Sequence, residues 1–355
     1  MKLQDWSLHL YRLPYAREVA WANAREHAGV FALIVLQADG ATGIAEGTLK
    51  DTWSGVSPNS LAAALHDFLI PRLRDVDLTD ERVVAKAFAG IPENRLAKGM
   101  IESACWTLRA AAAREPLWKL WDADHVREVA WTVTRQRPAL MAAEAAEVCA
   151  KYGFRVLKVK GGQGVDVDLQ ALKEIRAAVG PNVELYVDAN SHYARGDAAD
   201  YVRKLAQAGV TVAEDPCPLQ PDREFEALQK ASPIPILVDR SCASTEDAAL
   251  YLERGAQALS TKPGRVGLAE SRAIAAMAAQ RRASTAVGIY AESALGTLIN
   301  LQQPGTMAAE QTFFLTMTDQ VSTLVPQIRD GRIELPAEAD LSKLVDWEQL
   351  ERFAL

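Results

Sequence analysis

Residues 3–13, LQDWSLHLYRL, alternate apolar and polar positions in the manner of a half-buried strand. A second apolar run, GVFALIVLQ, leads into Asp39-Gly40, a hairpin signal because both residue types tolerate a positive φ, and TGIAEGTL follows as a third strand. The pattern then turns helical. Ser57-Pro58 opens SPNSLAAALHDFLIPRL, with serine as the expected cap and proline at the first helical position. Two more helices are expected over 80–89 and 94–114. The opening third therefore reads as an α+β unit, a three-stranded meander followed by helices.

From about residue 128 the rhythm changes. Strand-like runs fall at 128–134, 154–160, 183–188, 210–214, 235–239, 257–262 and 284–290, with helical segments at 138–151, 166–179, 197–208, 223–231, 245–254 and 267–280 between them. Several helices end near a glycine, as at Gly153, Gly180, Gly209 and Gly255. Seven strands alternating with helices point to a parallel barrel, and no GxGxxG follows the first of them. GRIEL at 331–335 reads as a strand outside the series, returning to the first domain. The expected parts are an N-terminal α+β capping domain at 1–125, a barrel at 126–325 and a returning C-terminal segment at 326–355.

The chemistry stands out against this pattern. Asp188 in ELYVDAN, Glu214 in TVAEDP and Asp239 in PILVDRS each end an apolar run, 26 and 25 residues apart. Barrel enzymes work at the C-terminal rim, which is where the end of a strand lies. One such acid would be explained as a cap on the following helix. Three on consecutive units converge, and three carboxylates need a cation; oxygen-only ligation suits Mg²⁺, with Mn²⁺ as the alternative. Lys158 and Lys160 in VLKVK precede them and Lys262 in LSTKPG follows. Alternation puts Lys158 and Lys160 on one face, where mutual repulsion is expected to lower the pKa of at least one and favour a neutral base. Lysines from opposite sides of the barrel can address both faces of one substrate carbon. The arrangement suits removal of a proton next to a carboxylate, with a metal ion stabilising the enediolate.

Composition narrows the field further. A net charge of −7 argues against nucleic acid, and no run approaches a membrane span or a secretory signal core. Cys105, Cys149, Cys217 and Cys242 form no CxxC pair and fit reduced thiols in a cytoplasmic enzyme.

The ordered motifs KVK, VDAN, EDP, VDRS, TKPGRVG and AESALGT resemble the enolase superfamily. In particular they resemble its muconate lactonizing enzyme subgroup, within the mandelate racemase/muconate lactonizing enzyme family. The resemblance spans nearly the whole chain and implies a modified TIM barrel, (β/α)7β, with a capping domain. It implies that Asp188, Glu214 and Asp239 bind the metal, that Lys160 and Lys262 are the acid/base pair, and that Lys158 supports Lys160. It also implies Glu292 in AESALGT as a rim acid at the substrate site, and a homo-oligomer, a dimer or an octamer. No histidine follows in STAVGIYAES, unlike mandelate racemase-like members; His192 is the one histidine expected nearby, as a loop residue. Substrate contacts are expected from Asn190 and from two cap loops, about 14–29 (Tyr15, Arg17, Glu18, Trp21, Arg25, His27) and 47–57 (Thr52, Trp53). Arg17 or Arg25 would bind a distal carboxylate.

Two departures from the family pattern stand in the chain. Arg240 follows Asp239 where glutamate is usual, with its side chain expected to face away from the barrel interior, and no glycine-rich tail follows GRIELP. MAAEQTFFLTMTDQV lacks the DxD of dipeptide epimerases and resembles a segment that muconate cycloisomerases carry after their last barrel strand. The expected reaction is therefore muconate-type cycloisomerisation. The alternatives are racemisation of N-acylamino acids, dehydration as in o-succinylbenzoate synthase or a sugar-acid dehydratase, and a barrel that has lost catalysis.

Overall fold

The computed structural model describes residues 1–20 and 24–355, so Trp21 lies outside the described residues. Strands β1 (Asp5–Ala20), β2 (Arg25–Ala38) and β3 (Ala41–Leu49) form an antiparallel meander. Asp39 and Gly40, at φ 49° and 80°, make the expected tight turn. β2 reads as one continuous apolar run because both of its faces are covered. Ala32, Ile34 and Leu36 pack into one core with Leu65, Met100 and Ile101, while Phe31, Leu33 and Val35 join Tyr11, Leu268, Leu295 and Ile299 in another. Of the expected cap loop at 14–29, residues 14–20 belong to β1 and residues 25–29 to β2, with a register shift between Pro14 and Val19.

Helices α2 (Pro58–Ala64), α3 (Glu81–Phe88) and α4 (Arg95–Ala113) follow in the expected places, while the one-turn helices α1 (Asp51–Ser54), inside the expected cap loop at 47–57, and α5 (Leu117–Leu120) were not anticipated. Ser57 and Ser60 complete a capping box on α2. The run up to Leu73 continues as π and 3-10 turns, and Pro71 falls in the last of these. α4 lies against both the meander and the barrel, and it can do so because two contacts have no room for a side chain. A Cβ on Gly43 would stand 2.0 Å from Ala104 O, and one on Gly99 would stand 2.6 Å from Gly267 N. Gly99→Ala is expected to cost about 1–3 kcal/mol by forcing α4 off the barrel. Urea unfolding measures it, and an unchanged midpoint would refute this packing account.

The second half is the expected parallel series. Between strands β5 (Trp131–Val133), β6 (Val156–Lys160), β7 (Glu184–Asp188), β8 (Ala213–Glu214), β9 (Ile236–Val238), β10 (Ala258–Thr261) and β11 (Ser284–Val287) run helices α6 (Pro138–Tyr152), α7 (Val165–Val179), α8 (Ala198–Gln207), α9 (Arg223–Ala231), α10 (Thr245–Glu253), α11 (Pro263–Val266) and α12 (Leu268–Gln280). The seven strands lie in sequence order in one sheet. Residues 307–310 close the ring: Met307 and Glu310 N–H donate to Thr285 and Val287 O, Ala309 N–H to Glu128 O, and Ala130 N–H to Ala309 O. Part of the stretch expected after the last barrel strand is thus itself the eighth strand. The protein is a modified TIM barrel, (β/α)7β, with an N-terminal α+β capping domain.

A buried cluster of Ala130, Val156, Tyr186, Val212, Leu237, Ala258, Ala286 and Ala308 fills the interior, with one residue from each of the eight strands or its immediate flank. β13 (Arg332–Glu334) does not return to the first domain as expected. It pairs with β4 (Val126–Glu128), and β12 (Ile328–Arg329) pairs with it in turn. The chain's last residues are the ones that reach the meander, where Leu355 N–H donates to Leu10 O and Phe353 O accepts from Arg12 N–H. No helix among the described residues is long and apolar enough to cross a membrane.

Candidate active site

Side chains along a strand return to the same face every second residue. Two positions beyond the apolar interior cluster therefore stand Lys158, Asp188, Glu214, Asp239, Ser260, Gly288 and Glu310. Where the first set is hydrophobic, this set is charged and polar and remains buried. None of the three acids caps the next barrel helix; α8, α9 and α10 start from Asp197, Asp222 and Ser244.

The lysines bind these acids directly. Lys158 Nζ donates to Glu214 Oε1 at 2.7 Å and Glu310 Oε2 at 2.8 Å and lies 3.1 Å from Asp188 Oδ2. Lys160 Nζ reaches the same Asp188 Oδ2 at 2.6 Å, which confirms that the two lysines share a face. From the opposite side, Lys262 Nζ donates to Asp239 Oδ2 at 2.6 Å. In strand order the assembly reads Lys160, Asp188, Glu214, Asp239, Lys262, on β6 to β8 and just after β9 and β10.

For Lys158 the expected depression is corrected here. Burial pulls Lys158 down, but Asp188, Glu214 and Glu310 outweigh it and hold the ammonium well above the usual range. Lys262 is likewise raised, with burial opposed by Asp239. Burial alone would raise the Asp188 and Asp239 carboxyls, yet Lys158 with Lys160, and Lys262 with Arg265, keep both low. Glu214 goes up, driven by burial and by Asp188 against the pull of Lys158. Like-charge repulsion between two lysines loses to several carboxylates close by.

As they stand, no three His, Cys, Asp or Glu side chains among the described residues converge tightly enough to hold an ion. The lysines draw the carboxylates toward their own ammonium groups. The donor set nevertheless fits a hard cation. Asp239 Oδ1 and Glu214 Oε2 are buried without a hydrogen-bond partner, although Nζ of Lys158 lies 2.7 Å from the latter. Buried anionic oxygens in that condition are costly unless a cation compensates them.

Glu310 was not anticipated from the sequence. It is 1% exposed and also accepts from Tyr186 Oη at 2.7 Å. Its run, MAAEQ, has no β-branched residues, so only the pairing with β11 identifies it as a strand. Once Ala308 is known to point inward, alternation places Glu310 there too. Asp215 was also missed. Its carboxylate accepts from Asp239 N–H at 3.1 Å and Arg240 N–H at 2.9 Å, fixing the turn that presents Asp239, and its carboxyl is pushed up to about 7 by burial and Asp239.

The Arg240 side chain is exposed, as alternation requires, while Arg265 on α11 donates to Asp239 O at 3.3 Å and to Cys242 O. Glu292 is fully buried but bonds elsewhere: Tyr290 N–H and Asn300 Nδ2 donate to it, and burial pushes it up to about 7. Asn190 joins the cluster. Its Oδ1 accepts from Arg135 at 3.0 Å and Lys160 at 3.3 Å, and its Nδ2 donates to Asp188 at 2.9 Å. Arg25 is spent on Glu18 at 2.5 Å, and Arg17 is exposed on β1. Trp53 on α1 lies edge-on to Tyr290 at 5.3 Å. His192 is exposed beside Tyr193.

Comparison with known proteins agrees with this architecture. The family model for the mandelate racemase/muconate lactonizing enzyme N-terminal domain matches residues 13–121, and the enolase C-terminal domain-like model matches 140–348. An o-succinylbenzoate synthase of Geobacillus stearothermophilus is 30% identical over 319 residues, covering 87% of this chain and 81% of that protein. Muconate cycloisomerase 1-2 of Acinetobacter lwoffii is 26% identical, covering 89% and 85%. In fold, the chain is similar to a muconate lactonizing enzyme from Mycobacterium smegmatis solved with muconolactone, at TM-score 0.93 and 24% identity over all of both chains.

Proposed function

Since the chain belongs to the mandelate racemase/muconate lactonizing enzyme family of the enolase superfamily, an enzyme family, we propose that it carries out divalent-metal-dependent proton transfer at the carbon next to a substrate carboxylate, in a muconate-type cycloisomerisation. The observation that carries this reading is the order Lys160, Asp188, Glu214, Asp239, Lys262 along one rim. Asp188, Glu214 and Asp239 would hold Mg²⁺ or Mn²⁺. Bound there, the cation supplies Lewis-acid stabilisation of enediolate charge and competes with the lysines for the carboxylates.

The chain's own residues do the rest. Lys160 and Lys262 approach the carbon from opposite faces, so one takes or returns the proton and the other sets the charge on the far side. Lys158 is 1% exposed, too deep to touch substrate, and balances the acids from beneath. Arg135 and Asn190 steer Lys160, with Arg135 Nε also donating to Gly161 O at 2.5 Å.

A second reading, dehydration as in the o-succinylbenzoate synthases, is favoured by the 30% identity to one of them. The same enediolate would then expel a β-hydroxyl group as water. Ultraviolet assay of cis,cis-muconate separates the two readings: consumption that stops with EDTA and returns with Mg²⁺ is expected, and inert muconate beside a dehydrated succinyl substrate selects the second. Inertness toward both, with no α-proton exchange in D₂O for any carboxylate, would refute the shared half-reaction. Mg²⁺ at about a hundred times its Kd should add about 2.7 kcal/mol to stability, seen as a higher Tm than in EDTA. An unmoved Tm counts against the cation site.

A further inference from the structure

Asp168, in the first turn of α7, is buried to 3% exposure, and its carboxylate is held by groups from outside that helix. Gly162 N–H donates to Oδ2 at 2.8 Å and Gln163 N–H to Oδ1 at 3.1 Å, both from the loop that follows Lys160. The hydroxyls of Tyr193 and Tyr201 donate to Oδ2 at 2.6 and 2.8 Å, the first from the loop that follows Asp188 and the second from α8. The two rings lie 4.0 Å apart, centroid to centroid. Burying a carboxylate is costly unless hydrogen bonds compensate it, and an acid serving only its own helix would take first-turn amides instead.

What Asp168 holds is a stretch with little stiffness of its own. Residues 161–164 read GGQG, and glycine leaves the backbone freer than any other residue. The close approach requires it: a Cβ on Gly161 would stand 2.7 Å from Tyr201 Oη and 2.9 Å from Asp168 Oδ2, and Gly162 sits at φ 83°. This same stretch anchors the surroundings of Lys160. Gly161 N–H donates to Asp188 O at 2.9 Å, and Gly161 O accepts from Arg135 Nε at 2.5 Å. Arg135 donates onward to Asn190 Oδ1 at 3.0 Å, which also accepts from Lys160 Nζ at 3.3 Å. Asp168 thus fastens together two loops, one running on from Lys160 and the other from Asp188 through Asn190 to Tyr193.

We propose that Asp168 is a positioning residue for proton transfer: by tying the loop after Lys160 to the loop after Asp188, it keeps the Lys160 amine in register with Asp188 and Asn190. This rests on the acid/base reading of Lys160 above and deepens it. At 3% exposure Asp168 is out of reach of substrate, and it acts through Gly161, Arg135 and Asn190. A displacement of about 1 Å in a reacting group costs on the order of 10²-fold in rate, so a loosened loop shows in kcat before it shows in KM.

Chemical labelling tests the placement of Lys160 without requiring turnover. The wild-type protein, Asp168→Asn and Tyr193→Phe, each checked for folding by circular dichroism, are treated in EDTA with trace acetic anhydride. Acetylation of Lys160, Lys262 and the exposed Lys119 is read by mass spectrometry. Relative to Lys119, Asp168→Asn should raise the Lys160 rate by about threefold or more while Lys262 stays within about twofold, the signature of a local opening. A matching rise at both lysines means that Asp168 only stabilises the fold, and no rise at either means that the loop holds without it; both overturn the proposal. If Asp168→Asn fails to fold, Tyr193→Phe decides: a selective rise at Lys160 supports the proposal, and unchanged labelling refutes it. Kinetics supply a second arm. In Asp168→Asn, kcat for α-proton exchange in D₂O should fall about 10–100-fold with KM within about threefold. Added to Lys160→Ala, the same substitution should lower the residual rate by less than about twofold, because no lysine remains to be misplaced. Equal losses in both backgrounds refute positioning through Lys160. A wild type that exchanges no α-proton removes the proposed reaction and leaves the labelling ratio to decide.

Discussion

Lys160→Ala is expected to lower kcat for α-proton exchange by about 10²–10⁴-fold, the usual contribution of a positioned acid or base, while the protein stays folded. Lys160 Nζ is held 2.6 Å from Asp188 and 3.3 Å from Asn190, and the side chain is 20% exposed, so it is both positioned and reachable. Removing it takes away one of two ammonium groups on Asp188 Oδ2 and leaves the other. Structural damage should therefore be small and the chemical loss large. Lys262→Ala provides the counterpart from the opposite face: a substrate protonated on one face should lose exchange severely in one variant and keep part of it in the other. Single-turnover exchange in D₂O measures both. A fall of less than tenfold for each, with folding intact, would mean that neither lysine moves the proton.

Lys158→Met is expected to have the largest effect on stability, about 3–5 kcal/mol in EDTA. The wild-type ammonium lies within 3.1 Å of Asp188, Glu214 and Glu310, all essentially inaccessible to solvent. Methionine fills similar volume but leaves three buried carboxylates with less compensation, and truncating one partner of a buried ionic cluster costs far more than the pair gains over an apolar substitute. Urea unfolding with and without Mg²⁺ measures the loss, and Mg²⁺ should recover part of it. A loss below about 1 kcal/mol would show that the acids are stable without Lys158. Glu310→Gln should cost less, because the amide still offers an acceptor to Tyr186.

Much of this arrangement was legible from the sequence because two short-range rules were strong. The alternating runs and glycine stops located the barrel strands and helices, and acids ending consecutive runs located Asp188, Glu214 and Asp239. What escaped was what depends on partners distant in the chain. The eighth strand at 307–310 has no strand-like composition and is defined by its bonds to β11 and to residues 128–130. Glu310 escaped with it, so attention fell on Glu292, whose AESALGT context is more distinctive. The pKa expectation failed similarly for Lys158, since it counted two neighbours on one strand and not the carboxylates across the barrel.

By itself, the sequence determined the repeating units, the face on which each charge lies and the chemical type of the site, because periodicity and side-chain chemistry are local properties. Only the tertiary structure decided which charges neutralise one another and which stay under strain. Closing the barrel put Glu310 beneath Lys158, and folding the cap paired the buried Lys50 with Glu26. Electrostatic energies depend on separation and on water excluded, and both are set by the folded packing of segments as far apart as residues 26 and 310.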